Sequence, residues 1–308
     1  MQVIHVYHHT GQRTGFTLNT VLRRDPTRTT SISKRFSQEF GRRFRWLKGE
    51  IRKAVIDQDC FGLSGSSFPM TLAAPSPRQF DFPRLADKVE AFMEWLKEQE
   101  RAGILEVTQR PGFRRISVEE PWTNIYLRHA YQRGIVRARQ ELRKAGYDVL
   151  PIELGTDEGD LGLRAAFNQP FHADRVGLIY TRAYSELKGI TEAMDQAISR
   201  VLADDLATGL NPRQLAREIT KKVDGIGLSR AKTLARTEVV RAHHVANIAE
   251  YRLAGAEGVE VQAEWLTAGY NVCPRCASRQ GKVYSLDEIE PLIPQHPNCR
   301  CVALPKPR

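Results

Sequence analysis

Four of the five cysteines fall between positions 273 and 301, as Cys273-Pro274-Arg275-Cys276 and then His296-Pro297-Asn298-Cys299-Arg300-Cys301. Two thiols separated by two residues can grip one ion from a tight turn, and a His/Cys group further on can close a tetrahedral shell. The C-terminal segment must therefore fold so that these side chains meet. The second half is less regular, because Cys299 and Cys301 would point to opposite faces of an extended strand. The expected shell is Cys273, Cys276, His296 and one of Cys299 or Cys301 around one zinc ion, with the remaining thiol packed in the local core. The alternative is metal-free, with two buried thiol pairs or a disulfide.

At 308 residues and 41% apolar side chains the chain has room for two domains with real cores. No apolar run reaches the length of a membrane span, and Met1-Gln2-Val3-Ile4-His5 lacks the layout of a signal peptide. Synthesis in a reducing cytoplasm is expected, where clustered cysteines favour metal over disulfide and Cys60 stays unbridged.

The net charge of +10 is uneven. Residues 1 to 60 hold twelve Lys/Arg against five Asp/Glu, a balance of +7. Such a segment is drawn to polyanions, nucleic acid first, through counterion release. Arg35, Arg42, Arg43, Arg45 and Lys48 are the candidate contacts, interleaved with Phe36, Phe40, Phe44, Trp46 and Leu47. The apolar set Phe36, Phe40, Phe44, Leu47, Ile51 and Val55 has helical spacing and should pack inward. A solvated helix face or a dock for an acidic protein is the plainer alternative.

Three regions are expected. Residues 1 to 83 comprise an extended basic arm over 1 to 30, the amphipathic helix 34 to 57, and a Gly/Ser/Pro linker over 61 to 83. Residues 84 to 229 form a helical array. Its first helix carries Val89, Phe92, Met93 and Leu96 and ends at Gly103, followed by a short extended piece and a longer helix from Trp122 to Ala145. Residues 148 to 168 read as loop. Helices 173 to 187 and 191 to 208 follow, then one opened by Asn211-Pro212, and a turn around Gly225 to Ser229. Residues 230 to 308 start with a helix over Arg230 to Leu253 and continue as a small α+β unit, with alternation through Val259, Val261, Ala263 and Trp265 marking a strand. The fold class is thus mainly α, a helical array with a small C-terminal α+β Cys/His domain. At that size a metal, or docking onto the preceding helix, must supply the missing stability. Arg236, Thr237, Glu238 and Asn247 on the helix, with Trp265 on the strand, are the candidates for such a lock.

The succession Ala235-Arg236-Thr237-Glu238, Asn247, Tyr251, Gly255, Trp265, the Cys273/Cys276 pair, Gly281 and His296 to Cys301 resembles the phage Mu F-like minor head protein family of tailed bacteriophages. The likeness is specific over 230 to 303 and extends more weakly to about 120, where Trp122 to Gly134 is similar to the start of that family's helical region. Members often carry an acidic residue just before the first cysteine, where this chain has Tyr270 and Asn271. The resemblance implies a low-copy, non-catalytic minor capsid protein of head morphogenesis, inside the virion after synthesis in the host. Its implied partners are the portal protein, the major capsid protein and packaged double-stranded DNA, with no membrane.

The rival reading is a zinc-containing His-Asn-His-type nuclease, with His243, His244, Asn247 and His296 as candidates. Against it, His243 and His244 sit on an expected long helix, whereas that core needs its base on a strand. A sequence-specific DNA regulator is a third class, but no helix-turn-helix is recognisable.

Overall fold

Helical periodicity dominates the chain, and a computed structural model of it is mainly helical, with one short hairpin and one small antiparallel sheet. It describes residues 25–64, 80, 82–111, 117–152, 156–255, 261–269 and 271–307. The expected arm over 1 to 24 and most of the expected linker lie outside the described residues. Two compact units are distinguishable, each assembled from separated stretches of sequence.

The first unit draws on residues 35–124 and 181–235. Its organising element is helix α1 (Thr30–Arg52), continued by a π-helical turn over Lys53–Asp57. Phe36, Phe40, Phe44, Leu47 and Ile51 recur at helical spacing and are buried, as the periodicity requires. Each such side chain contributes about 1.5–3 kcal/mol on leaving water. Trp122 stands edge-on to Phe36 and Phe40, with ring centroids 5.6 and 4.9 Å away, and its indole N–H donates to the Ile104 carbonyl at 2.8 Å. Trp122 is therefore a core residue just ahead of helix α3 (Asn124–Lys144), not its first turn. Helix α2 (Leu85–Gly103) adds Phe92 and Leu96, and β1 (Val107–Pro111) pairs antiparallel with β2 (Ser117–Pro121).

Helix α5 (Pro170–Ala207) corrects the expectation of two helices, because the chain passes through Gly189 without a break. Its later part supplies Met194, Ile198 and Leu202 to this core. Helix α6 (Pro212–Lys222) begins at the expected Asn211, whose side chain accepts from Gln214 N–H in a capping box. The turn expected around Gly225 is instead a π-helix over Val223–Leu228 that runs into α7 (Ser229–Gly255). The cause is packing: a Cβ on Gly227 would lie 2.5 Å from Phe44 Cε1 and 2.7 Å from Met194 Sδ, so the missing side chain lets the helix pass close to both.

The second unit draws on the described parts of residues 1–34, 125–180 and 236–308. Residues 25 to 30, expected to be extended arm, are folded here. The Asp25 carboxylate accepts from the N–H groups of Thr27, Thr29 and Thr30, and Thr27 and Thr29 are buried. Short polar side chains that close their own turn removed the need for apolar periodicity. Likewise, the expected loop over 148 to 168 contains helix α4 (Asp157–Phe167). Thr156 Oγ1 caps it by accepting from Gly159 N–H at 3.0 Å, and Asp157, Glu158 and Asp160 favour its positive end.

Helices α3 and α7 cross closely at Gly134, where a Cβ would lie 2.5 Å from the His243 carbonyl oxygen and 2.6 Å from Ala246 Cβ. The Asn247 side-chain amide secures the crossing by donating to the Gly134 carbonyl at 2.8 Å and the His243 carbonyl at 3.2 Å. A buried polar relay lies in the same unit. Tyr131 Oη is 2.9 Å from His172 Nδ1, His172 Nε2 is 3.2 Å from Glu250, and Glu250 accepts from Arg139 Nε at 2.8 Å. The C-terminal sheet has strand order β4 (Val283–Tyr284), β3 (Val261–Leu266), β5 (Val302–Pro307), all antiparallel. Val261, Ala263 and Trp265 face inward, following the expected alternation.

Gly134→Ala is expected to destabilise the protein by about 1–3 kcal/mol through overpacking, whereas Gly189→Ala, with open space around its Cβ, is expected to stabilise it by about 0.5–1 kcal/mol. Thermal denaturation of both variants checks the contrast.

In the first unit, Glu100 is almost fully buried and hydrogen-bonded to Asp195, and desolvation, reinforced by the Asp195 charge, holds its carboxyl well above the usual range. A carboxyl whose folded pKa is raised gives stability that is complete below its unfolded value near 4.5 and is lost as pH climbs above it. Stability is therefore expected to decline from acid toward neutral pH through this group, and Glu100→Gln to flatten that decline; denaturant titrations between those limits would show it.

Candidate metal centre and its docking helix

The first knuckle is built by local turn chemistry. Gly269 and Asn271, both at positive φ, deliver the chain to Cys273, which caps the single-turn helix α8 (Pro274–Ala277) with Pro274 in its first position. Cys273 Sγ accepts from Cys276 N–H at 3.4 Å, so the turn presents both sulfurs to the same side. His296 enters from the far end of the segment, its Nε2 3.2 Å from Cys273 Sγ and 3.2 Å from Cys276 Sγ. Its Nδ1–H donates to the Pro297 carbonyl at 2.8 Å, leaving Nε2 as the free lone pair facing the thiols. That is the tautomer a metal-ligating imidazole needs, held by the kind of outer partner that fixes its ring.

Cys299 and Cys301 do not diverge as an extended pair would. Asn298 takes φ 62°, and the segment reaches β5 only at Val302, so both thiols converge on Cys276, with Cys276 and Cys299 Sγ 4.0 Å apart. The result is two triplets sharing Cys276, one of Cys273, Cys276 and His296 and the other of Cys276, Cys299 and Cys301, the ligand atoms of each lying within 4.8 Å of one another. The donor set is sulfur-rich with one imidazole, which suits a soft or borderline divalent ion such as zinc held for structure.

The electrostatics of the thiols are uneven. Desolvation pushes Cys276 up to about 12, while the hydrogen bond from Cys301 pulls Cys299 down to about 5 and raises Cys301 in return. Cys273 is lowered by the N–H of Cys276. An ion would supply the positive charge that lets several crowded sulfurs be thiolates together.

One stripe of α7 carries this module. Thr237 Oγ1 accepts from Asn298 N–H at 3.1 Å, beside the second half of the cluster. His244 Nε2–H donates to the carbonyls of Ile289 and Glu290, ahead of which lies helix α9 (Leu286–Ile289). Tyr251 Oη donates to the Ala303 carbonyl at 3.1 Å, and Arg252 pairs with Asp287 and Glu290 at 2.6 and 2.7 Å. Trp265 is fully buried in the same core as Ile248, Tyr251, Cys276, Cys299 and Cys301. Of the candidate lock residues, Arg236 is exposed, Glu238 is buried and paired with Arg241 at 3.2 Å, and Asn247 serves the α3 crossing. His244, one of the polar groups of this helix that the sequence offers for such a lock, takes part in it, and Tyr251 and Arg252 are additions, although the spacing 237, 244, 248, 251 marks a single helix face.

His243 and His244 are both inside the protein. Burial lowers their ring pKa to about 3 and about 4, so both are neutral, and the ring nitrogens of His243 have no hydrogen-bond partner among the described residues. His296 is about 3 Å from sulfurs, and these three histidines with Asn247 do not form one open site.

The basic candidates on α1 separate by exposure. Arg43 is buried: its guanidinium lies 4.3 Å over the Trp122 ring, donates to the Gly103 carbonyl, and pairs with Glu39 and Glu106. Lys48 is paired with Asp224 at 2.8 Å. Arg35, Arg42 and Arg45 remain exposed, Arg42 with Glu39 beside it, and Arg52 continues the row at helical spacing.

A helix-docked α+β module closed by a Cys/His cluster is the class that this geometry defines. Residues 196–304 match the family described as Phage Mu protein F like protein, which supports a Mu F-like phage head morphogenesis protein and agrees with the resemblance seen in the sequence. No curated protein and no solved structure matches the chain.

Removing the ion should expose the module's dependence on it. Purified protein is expected to carry one zinc per chain by elemental analysis, and chelation or Cys276→Ser is expected to cost about 2 kcal/mol or more in thermal unfolding. A metal-free protein whose mass is two hydrogens short would show the disulfide alternative instead.

Proposed function

We propose that the protein is a non-catalytic minor component of a tailed-phage head, made in the host cytoplasm, retained inside the head near the portal, and in contact with the major capsid protein and packaged double-stranded DNA. The family match over 196–304 carries the head-morphogenesis part of this reading. The structural, zinc-holding role of Cys273, Cys276, His296, Cys299 and Cys301 rests on the sulfur and imidazole geometry, in which the ion joins two distant parts of a segment too small to stabilise itself. The lock of α7 onto that segment follows from Thr237 and Trp265, with His244, Tyr251 and Arg252 beside them. Against the nuclease reading stands the burial of His243 and His244, which keeps water and a scissile phosphate away from both rings. Among the described residues no helix is long and apolar enough to cross a membrane.

For DNA contact, the exposed row Arg35, Arg42 and Arg45 presents charges that meet phosphates without reading bases, as densely packed DNA requires. Arg43 and Lys48 support the helix that carries the row.

Quantitative mass spectrometry of DNA-filled particles tests the reading, with a low copy number at a fixed ratio to the portal expected and absence from portal-containing particles overturning it. For the purified protein, replacing Arg35, Arg42 and Arg45 by Gln is expected to reduce the log–log salt slope of duplex binding by about 2–3, since each lost phosphate contact removes about 0.9.

A further inference from the structure

The Cys/His cluster holds more donors than one ion uses. A tetrahedral zinc shell takes four ligands, whereas four sulfurs and one imidazole converge here. Cys276 belongs to both triplets, so a change at this one sulfur disturbs both at once.

The cysteines also differ in access. All five lie among the described residues and none is bridged; Cys60, Cys276, Cys299 and Cys301 are buried, and only Cys273 is half-buried. Cys273 opens a turn whose Pro274, Arg275 and Ala277 are exposed. A small solute coming from water therefore meets the Cys273 sulfur before the other three of the cluster.

The surroundings of Cys273 decide which sulfur can answer a change there. Cys276 N–H donates to its Sγ at 3.4 Å, and His296 Nε2 lies 3.2 Å away. Cys276 Sγ shares its triplet, within 4.8 Å, whereas Cys299 and Cys301 belong to the other triplet. C-x-x-C is a spacing that closes reversibly to a disulfide, because residues three apart in one helical turn are neighbours.

We infer that Cys273 is a modification site for hydroperoxides, with Cys276 as the thiol that resolves it, and that the disulfide so formed withdraws both sulfurs from the ion. Release of the ion rests on the zinc-holding reading given above; the oxidation itself does not.

The chemistry takes two steps. The Cys273 sulfur attacks one peroxide oxygen, an S–O bond forms as the O–O bond breaks, and the departing hydroxide leaves as water, so that Cys273 becomes a sulfenic acid. The Cys276 sulfur then attacks the Cys273 sulfur, the S–S bond forms as the S–O bond breaks, and a second water leaves. The protons that complete the two waters are those the two thiols give up. Two thiols are oxidised by two electrons and one peroxide is reduced.

The two ties differ in reach. An ion joins the turn at 273–276 to the segment 296–301, whereas the disulfide spans residues three apart and closes only a small loop, which constrains the chain less. Oxidation thus exchanges a long-range tie for a local one. A reducing cytoplasm followed by a released particle, as the proposed function has it, is an order of surroundings in which such a site changes state.

The test uses the full chain as purified, with hydrogen peroxide as the oxidant. Intact mass is expected to fall by two hydrogens, non-reducing peptide mapping to join Cys273 to Cys276, and a chromogenic zinc indicator to register the released ion; dithiothreitol with added zinc should restore the starting state. A disulfide between Cys276 and Cys299 with Cys273 left free would overturn the site. In Cys276→Ser, dimedone is expected to capture a sulfenic acid on Cys273. Because that variant also loses a ligand, Cys273→Ser gives a second check, and it is expected to slow the reaction with peroxide about tenfold or more, since the remaining thiols react only through local opening. Elemental analysis before oxidation separates the two readings. Protein without zinc that still forms the Cys273/Cys276 disulfide keeps the modification site and removes the ion release together with the zinc-holding reading, whereas zinc-loaded protein whose Cys273 is inert to peroxide removes the modification site alone.

Discussion

The C-terminal sheet has only three strands, one of them two residues long, and it stays folded because its apolar face is shut against α7. Trp265, Val261 and Ala263 on one side and Ile248, Tyr251 and Val240 on the other form one dry layer, and the thiols of Cys276, Cys299 and Cys301 lie inside it. The Cys/His cluster is therefore not an ornament on a finished domain. It brings the end of the segment back to its beginning within the core that α7 covers, so an ion held there would stabilise the same structure as the docking does.

The same helix is committed on its other faces. Asn247 and the Gly134 crossing hold it to α3, and Glu250 joins the relay of Tyr131, His172 and Arg139. Polar groups this deep must be satisfied or stay neutral, which is why His243 and His244 are held uncharged. The helix that suggested chemistry when read as a string of His and Asn is, in three dimensions, a structural spine with those groups turned inward.

Charge shows the reverse behaviour. A basic segment reads as uniformly attractive to polyanions, yet Arg43 and Lys48 are used within the protein while Arg35, Arg42 and Arg45 remain outside. Arg28 and the pair Arg133 and Arg137, unremarkable in sequence because about a hundred residues separate the first from the other two, line one cleft. Spacing along the chain could mark the face of α1, but only contact between distant segments decides which cations keep a free guanidinium.

Local pattern was sufficient for the α1 core stripe, the Asn211 cap and the alternation into Trp265, since each depends on neighbours within a turn or a strand. It missed α4, although Thr156 with three acids is a helix start, and it placed breaks at Gly189 and Gly225 where glycine permits continuation. What the sequence by itself determined is the mainly helical class, the residues of the Cys/His cluster and the kinship of the C-terminal segment, because these rest on periodicity and on side chains with few other uses. The tertiary structure alone decided that Cys299 and Cys301 turn the same way, that Asn247 belongs to a helix crossing, and that three scattered arginines share a cleft. Those outcomes depend on a left-handed residue at Asn298, a missing Cβ at Gly134 and a strained turn at Arg28, and the energy of each is set by what packs against it.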